Sequence, residues 1–599
     1  MQALILAAGM GKRLGDLTKD NTKCMVRVNG ITLIDRALMI LTQNILSRII
    51  IVVGYKGDKL KKYLGNQYNN VPIIYVENPI YSTTNNIYSL YLAKKYLLEE
   101  DTLLLESDLI FEKNILDRIL QDSYPNVVAV AKYESWMDGT VVELDDDGRV
   151  SNFINKKSFQ YVDKENYYKT VNIYKFSRDY ARKFYLPFLE AYIQSLGNNN
   201  YYEEVLRVIT LINRTGLKAS IVENEVWYEI DDIQDLDIAE VLFSTNKSDR
   251  YLSRFGGYWR FPKLLDYCYL VNPYFPCTAL KQELVSNFDI LLTQYPSGLN
   301  VNILLLSKIL GVNQKYLCVG NGAAELINSL MKNISGRVGV VYPSFEEYSN
   351  RYDKQLLVPY ILSNSNFSYT VDQLMTYYEE KEINNLLLIN PDNPSGNFIP
   401  LKDLYRLIHW AEGKGVRLIV DESFVDFSDK GIGNTILKND YLQDSKLVIL
   451  KSLSKSHGIP GLRLGVLATG DINLLNSIRK DVSIWNINSF AEYYLQIFDK
   501  YEIEYRNACQ KFLIERKRFY DALSRIPYLR TIPSQANFFL CEVTSHISSE
   551  ELVEILLKKY DILVKNCASK TGFKGKSYIR IAIRNEIDND KLLKALSEL

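Results

Sequence analysis

SLSKSHGIPGLRLG, residues 452–465, decides how the C-terminal half of the chain is read. Lys455 is flanked by Ser452 and Ser454, and Arg463 follows eight positions on. Hydroxyls with a guanidinium make a clamp for a phosphate group, and a lysine amine can hold an aldehyde covalently. Three further pieces lie upstream. GNGAAE, residues 320–325, opens a helix, so the backbone N–H groups of Gly322 and Ala323 can meet a phosphate. NPDNPSG, residues 390–396, offers Asn393 as a donor to a phenolic oxygen. VDES, residues 420–423, puts Asp421 at a strand end, able to keep a pyridine nitrogen protonated. Singly these are a turn, a strand-end acid and a surface lysine. Their joint order points to pyridoxal 5′-phosphate (PLP) as cofactor.

The set resembles class I/II aminotransferases of PLP fold type I, in the branch of histidinol-phosphate aminotransferase and threonine-phosphate decarboxylase. The resemblance covers residues 258–599. It implies that Phe345 stacks on the cofactor ring and that Arg580, in SYIRIAI, binds a substrate carboxylate. It also implies that Tyr295, in TQYPSG, reaches the phosphate of a neighbouring subunit, hence a homodimer. One departure stands out: the family often has tyrosine three residues after the aspartate, and here it is Phe424. Phenylalanine cannot hydrogen-bond the cofactor oxygen, which leaves Asn393 to carry that contact. For Lys455 to carry a proton it must be neutral, so burial and nearby positive charge must lower its pKa. A PLP decarboxylase remains open beside the aminotransferase with an amino-acid donor.

Strands read at 337–342, 385–389, 416–420 and 446–450, with helices at 323–331 and 401–412, predict a large α/β subdomain. A helix over 548–559 and a strand over 577–583 predict a small α+β subdomain. The polar run STNKSDR, residues 244–250, follows a closing helix in DLDIAEVLF. It sets the expected domains as 1–243, a linker over 244–257, and 258–599.

The N-terminal part alternates again. Apolar runs at 3–8, 49–53 and 103–105 read as strands, and Leu33, Ile34, Ala37, Leu38 and Leu41 fall at helical spacing. A parallel, Rossmann-like α/β sheet follows, with ligands expected at the carboxyl ends of strands. The loop Gly9–Leu14 follows the first strand, and Lys12, Arg13 and Lys23 add positive charge. Glycine lets backbone N–H groups approach phosphate oxygens.

LAAGMGKRLGDLTKDNTK, residues 6–23, resembles the signature of sugar-phosphate and choline-phosphate nucleotidyltransferases, although Thr22 stands where many members have proline. The resemblance covers residues 1–240. It implies nucleotide contacts from Leu6, Ala7, Ala8, Gly9, Gly11 and Lys12, with Arg13 and Lys23 as catalytic cations. Phosphate chemistry of this kind needs a divalent cation, Mg²⁺ by preference, on one or two carboxylates. Asp108 in LLLESD, with Glu229 and Asp231 in WYEIDD, is the expected set.

NPIYSTTNNIYSLYLA, residues 78–93, resembles the choline-phosphate cytidylyltransferase branch. That implies CTP and a small amino-alkyl phosphorus acceptor near Tyr81, Asn85, Asn86 and Tyr88. Tyr88 and Leu90 read equally well as helix core. Trp136 and Asp138, in ESWMDGT, are a second rim for that pocket.

The whole chain of 599 residues balances 71 Lys+Arg against 71 Asp+Glu. No basic excess points to nucleic acid. Seven cysteines without a CxxC pair suit a reducing compartment, and three scattered histidines do not suggest a zinc site. No apolar run reaches the roughly 18 residues of a membrane span, so a cytoplasmic protein is expected. The fused halves resemble bifunctional 2-aminoethylphosphonate cytidylyltransferase–aminotransferases of phosphonate biosynthesis. That implies transamination of phosphonoacetaldehyde, then formation of CMP-2-aminoethylphosphonate. Two alternatives stay open: a phospho-amino-acid decarboxylase fused to a phosphoethanolamine or phosphocholine cytidylyltransferase, and one active domain joined to a non-catalytic one.

Overall fold

Ile49–Val53 carries no polar alternation, so it must be covered on both faces, and it lies fully buried near the centre of the first sheet. This computed structural model describes residues 1–213, 216–443, 446–573 and 575–599. The chain divides into two compact units, Met1–Arg260 and Phe261–Leu599.

In the first unit, Gln2–Ala7 pairs in parallel with Ile49–Val53 on one side and Thr102–Glu106 on the other. Val71–Glu77 extends the parallel part, and Tyr168–Phe176 adds an antiparallel strand beside Thr102–Glu106. The helix Leu33–Leu41 begins where the Thr32 hydroxyl accepts from the Asp35 N–H (3.1 Å) and buries the five apolar residues read from its spacing. A two-stranded ribbon, Leu109–Phe111 with Trp227–Glu229, runs antiparallel, so Asp108 and Ile230 meet through a backbone hydrogen bond of 3.0 Å. This pairing brings the two acidic motifs together across more than a hundred residues of sequence.

The stretch 244–257, read as a linker, contains a helix, Lys247–Ser253, inside the first unit. Ser248 and Tyr251, three apart, face inward.

The second unit has a seven-stranded sheet in the order Leu317–Asn321, Leu464–Thr469, Val448–Ser452, Arg417–Asp421, Asn385–Ile389, Val338–Tyr342 and Leu357–Ile361. Only Leu464–Thr469 runs against both neighbours. A four-stranded antiparallel sheet, with Leu540 opposite Arg580, forms the smaller α+β part. No described helix is long and apolar enough to cross a membrane.

Candidate active sites

In the first unit, the carboxyl ends of the parallel strands open into a cavity of about 370 Å³. One wall of it is the loop after Gln2–Ala7. Gly11 takes φ +60°, and a side chain there would press on Thr18 and Lys23. The Thr18 hydroxyl closes the loop on the Gly11 carbonyl at 2.8 Å. Leu6, Ala8, Gly9, Gly11, Lys12 and Arg13 line the cavity, while Ala7 is buried within its strand.

Asp108, Glu229 and Asp231 each bring a carboxylate oxygen to within 4.8 Å of the others. The Lys23 ammonium bridges two of them, donating to Asp231 Oδ1 at 2.6 Å and to Asp108 Oδ2. Burial alone would lower the Lys23 pKa, but Asp108 and Asp231 outweigh it and hold the group well above its ordinary value. Arg13 pairs with Asp231 at 2.8 Å, and the buried Lys169 pairs with Glu229 at 3.2 Å. Asp231 is held below the usual carboxylate range by Lys23 and Arg13, against its burial. Glu229 is raised, chiefly by burial.

The donor set fits a hard divalent cation. Asp108 Oδ1 is buried with no hydrogen-bond partner among the described residues, and six carboxylates on the cavity wall face four basic residues. A nucleoside triphosphate brings still more negative charge, so a cation must accompany it.

Tyr81, Asn85, Asn86 and Asp138 line the same cavity. Trp136 and Tyr88 do not. Trp136 stacks on Tyr228 (centroids 4.1 Å) and packs on Trp227, so its ring is engaged with aromatic neighbours. Tyr88 stacks on Tyr91 at 6.0 Å. Sequence reasoning missed Glu106, Lys169, Asn172 and Glu203, which also line the cavity. Glu106 stands inside LLLESD, two residues before Asp108 at the end of an apolar strand, whereas Lys169, Asn172 and Glu203 belong to no motif.

In the second unit, Lys455 lies in the short helix Leu453–Ser456 that follows the strand Val448–Ser452. Its Nζ is 4.0 Å from the centre of the Phe424 ring and 5.8 Å from that of Phe345. Burial lowers its pKa to about 8, with Asp421 opposing and Arg580 assisting. Asp421 Oδ2 accepts from the Tyr348 hydroxyl, and Oδ1 from the Ser423 N–H, both at 2.8 Å. Tyr348, which no motif marked, therefore sets the angle of that carboxylate.

Gly322, at φ +75°, leaves room for the Arg463 guanidinium; any side chain there would collide with it. The Gly322 N–H donates to the Arg463 carbonyl at 2.8 Å. Gly322 caps the helix Ala323–Asn333, so its first N–H groups and Arg463 converge. This cradle fits a phosphate. Ser452 is buried nearby in sequence. The Ser454 hydroxyl is engaged with Leu464, accepting from its N–H (3.1 Å) and donating to its carbonyl (3.3 Å), which fixes the turn that presents Arg463.

Arg580 donates to Asn393 Oδ1 at 2.9 Å and to the Cys268 carbonyl at 2.7 Å, and its buried Nε has no partner among the described residues. Tyr295 is 80 % exposed and stacks on Trp485 at 4.6 Å.

Residues 276–598 match the family model for aminotransferase class I and II, and residues 3–156 match the MobA-like NTP transferase domain. The chain is 30% identical to CMP-5'-(3-aminopropyl)phosphonate synthase of Streptomyces rubellomurinus, over 100% of this chain and 95% of that protein. It is 32% identical to L-serine phosphate decarboxylase of Sulfurospirillum multivorans, over 57% of this chain and 90% of that one. The solved structure of a decarboxylase from Sulfurospirillum multivorans superposes with a TM-score of 0.51 at 29% identity, covering 57% and 90% of the two chains.

Proposed function

We propose, because the chain belongs to the class I and II aminotransferase family and joins that domain to a nucleotidyltransferase domain, that it makes an amino-alkyl phosphonate and couples it to CMP. The observation that carries this reading is geometric: one chain holds the Asp108, Glu229 and Asp231 cluster bridged by Lys23 in its first unit, and in its second Lys455 against the rings of Phe424 and Phe345 with a Gly322–Arg463 cradle.

In the N-terminal unit, an oxygen of the acceptor's phosphonate attacks the α-phosphorus of CTP in line, and pyrophosphate leaves. Lys23 and Arg13 would stabilise charge on the transferring and leaving groups. Mg²⁺ held by Asp108, Glu229 and Asp231 would supply Lewis acidity. The loop Gly9–Leu14 would hold the phosphates through its backbone N–H groups.

In the C-terminal unit, PLP attached through Lys455 would supply an electron sink for a bond broken at the substrate's Cα. Asp421 would keep the pyridine nitrogen protonated, with Tyr348 orienting it. Gly322, Ala323, Ser452 and Arg463 would hold the phosphate, and Phe345 would cover the ring. Ser454 would act through the Leu464 turn. Arg580 would bind the substrate carboxylate, with Asn393 aligned by the same guanidinium. Once neutral, Lys455 moves the proton at Cα. Tyr295 would complete the site of a partner subunit in a homodimer.

Two routes lead to the amine. Transamination converts phosphonoacetaldehyde and an amino acid into 2-aminoethylphosphonate and a keto acid. Decarboxylation converts a phosphono-amino acid into an aminoalkylphosphonate and CO₂. The similarity to L-serine phosphate decarboxylase favours decarboxylation.

The test supplies PLP, Mg²⁺ and CTP to the full chain. 2-Aminoethylphosphonate, 3-aminopropylphosphonate, phosphoethanolamine and phosphocholine are compared as acceptors by pyrophosphate release. CO₂ release from 2-amino-3-phosphonopropionate is compared with amine formation from phosphonoacetaldehyde and glutamate. Preference for a phosphate ester sinks the phosphonate assignment. Amine from the aldehyde without CO₂ from the amino acid restores transamination.

A further inference from the structure

The N-terminal cavity contains a carboxylate that the transfer step leaves unused. Glu203 lines it, is 5 % exposed, and its Oε2 has no hydrogen-bond partner among the described residues. The ion pairs in this cavity are made by other carboxylates, and Lys169 reaches Glu203 only through its field. Lys23 bridges Asp108 and Asp231, and Arg13 also holds Asp231. Lys169 holds Glu229 and donates to the Thr170 carbonyl at 2.8 Å. A buried carboxylate oxygen without a donor is costly, and burial raises the Glu203 pKa to about 7, so a cationic donor brought by a ligand would be favoured here.

The wall is braced to receive it. Asn86 accepts from the Tyr202 N–H at 3.0 Å and donates to Glu106 Oε1 at 3.0 Å. The Ile87 N–H donates to the Asn200 carbonyl at 3.4 Å. One asparagine thus ties the start of the helix Glu203–Asn213 to the end of the strand Thr102–Glu106. Both Glu106 and Glu203 face the cavity in which the metal-binding carboxylates lie. A quaternary ammonium has no N–H and is satisfied by aromatic faces. A bare carboxylate oxygen calls for a donor with both charge and hydrogen.

We propose that Glu203, supported by Glu106, binds the primary ammonium end of the acceptor, so that the N-terminal unit selects phosphorus acceptors bearing a free –NH₃⁺ over trimethylated or amine-free ones. This rests on the cytidylyltransferase reading above. Glu203 is a specificity residue: it touches the acceptor's far end while the phosphorus end reacts.

The experiment follows pyrophosphate release by the full-length protein with CTP and Mg²⁺, using 2-aminoethylphosphonate, its N-trimethyl derivative and ethylphosphonate. In the wild type, kcat/KM for the primary amine exceeds that for each of the others by at least about tenfold, the worth of a hydrogen bond between charged groups. Glu203→Gln shrinks the preference over ethylphosphonate by about 10- to 100-fold, chiefly through KM for the amine. Taking the ratio within one preparation cancels partial loss of folded protein. Equal use of ethylphosphonate by the wild type overturns the proposal, as does an undiminished preference in Glu203→Gln. If that variant does not fold, the wild-type series decides alone. Failure to release pyrophosphate with any of these acceptors or with phosphoethanolamine instead sinks the cytidylyltransferase reading.

Discussion

Lys23 and Lys455 are the same residue type, each in a short helical turn of its unit, Lys23–Met25 and Leu453–Ser456, and their environments push them in opposite directions. Lys23 is buried among carboxylates, two of which accept from it, and its pKa rises. Lys455 is buried against the rings of Phe424 and Phe345 with Arg580 nearby, and its pKa falls to about 8. Burial opposes the charge in both cases, so the neighbours decide the sign. On the proposed function, one site would use a permanent cation beside phosphate and the other a base that can shed its proton near neutral pH.

The largest expected effect comes from breaking one site alone. Lys455→Ala removes the proton carrier, so formation of the amine falls by about 10³-fold or more. The absorbance of lysine-bound cofactor disappears, while pyrophosphate release with added 2-aminoethylphosphonate persists. Loss of both activities in a folded protein would show that the two sites are not independent. Conversely, Asp108→Ala lowers pyrophosphate release by about 10²- to 10³-fold and spares the PLP-dependent step. A normal rate in that variant would remove Asp108 from the metal set.

Arg580→Ala tests the guanidinium that aligns Asn393. It raises KM for the carboxylate-bearing substrate by about 10- to 100-fold, read from initial rates with substrate varied. An unchanged KM would assign the carboxylate to another group.

The smallest effect contrasts the two lysines directly. Protonated Lys455 cannot accept a proton, so the PLP-dependent rate falls about tenfold for each pH unit below about 8 and levels off above it. Lys23 keeps its charge across the same range, so cytidylyl transfer shows no such loss between about pH 7 and pH 9. Parallel pH profiles for the two activities would contradict the opposed environments.

Local signals carried much of the architecture. The strand Ile49–Val53 and the helix Leu33–Leu41 occur where apolar pattern places them. Gly11 and Gly322 adopt positive φ where a phosphate loop and a helix entrance require it. The expected metal set, Asp108, Glu229 and Asp231, converges in the fold. Other residues took positions that no motif announces. Trp136 and Tyr88 pack on aromatic neighbours and leave the cavity wall. Asn86, read as an acceptor contact, also braces Glu106 and the backbone of Tyr202.

What the sequence determined by itself is what short-range chemistry determines: which runs become strands, where glycine bends the chain, and which lysines and acids sit at strand ends. Only the tertiary structure decided that Lys169 would hold Glu229, that Tyr348 would orient Asp421, and that Glu203 Oε2 would stand buried with no hydrogen-bond partner among the described residues. Burial and charge pairing are set by groups distant in sequence, and their energies depend on distance and solvent access that folding alone creates.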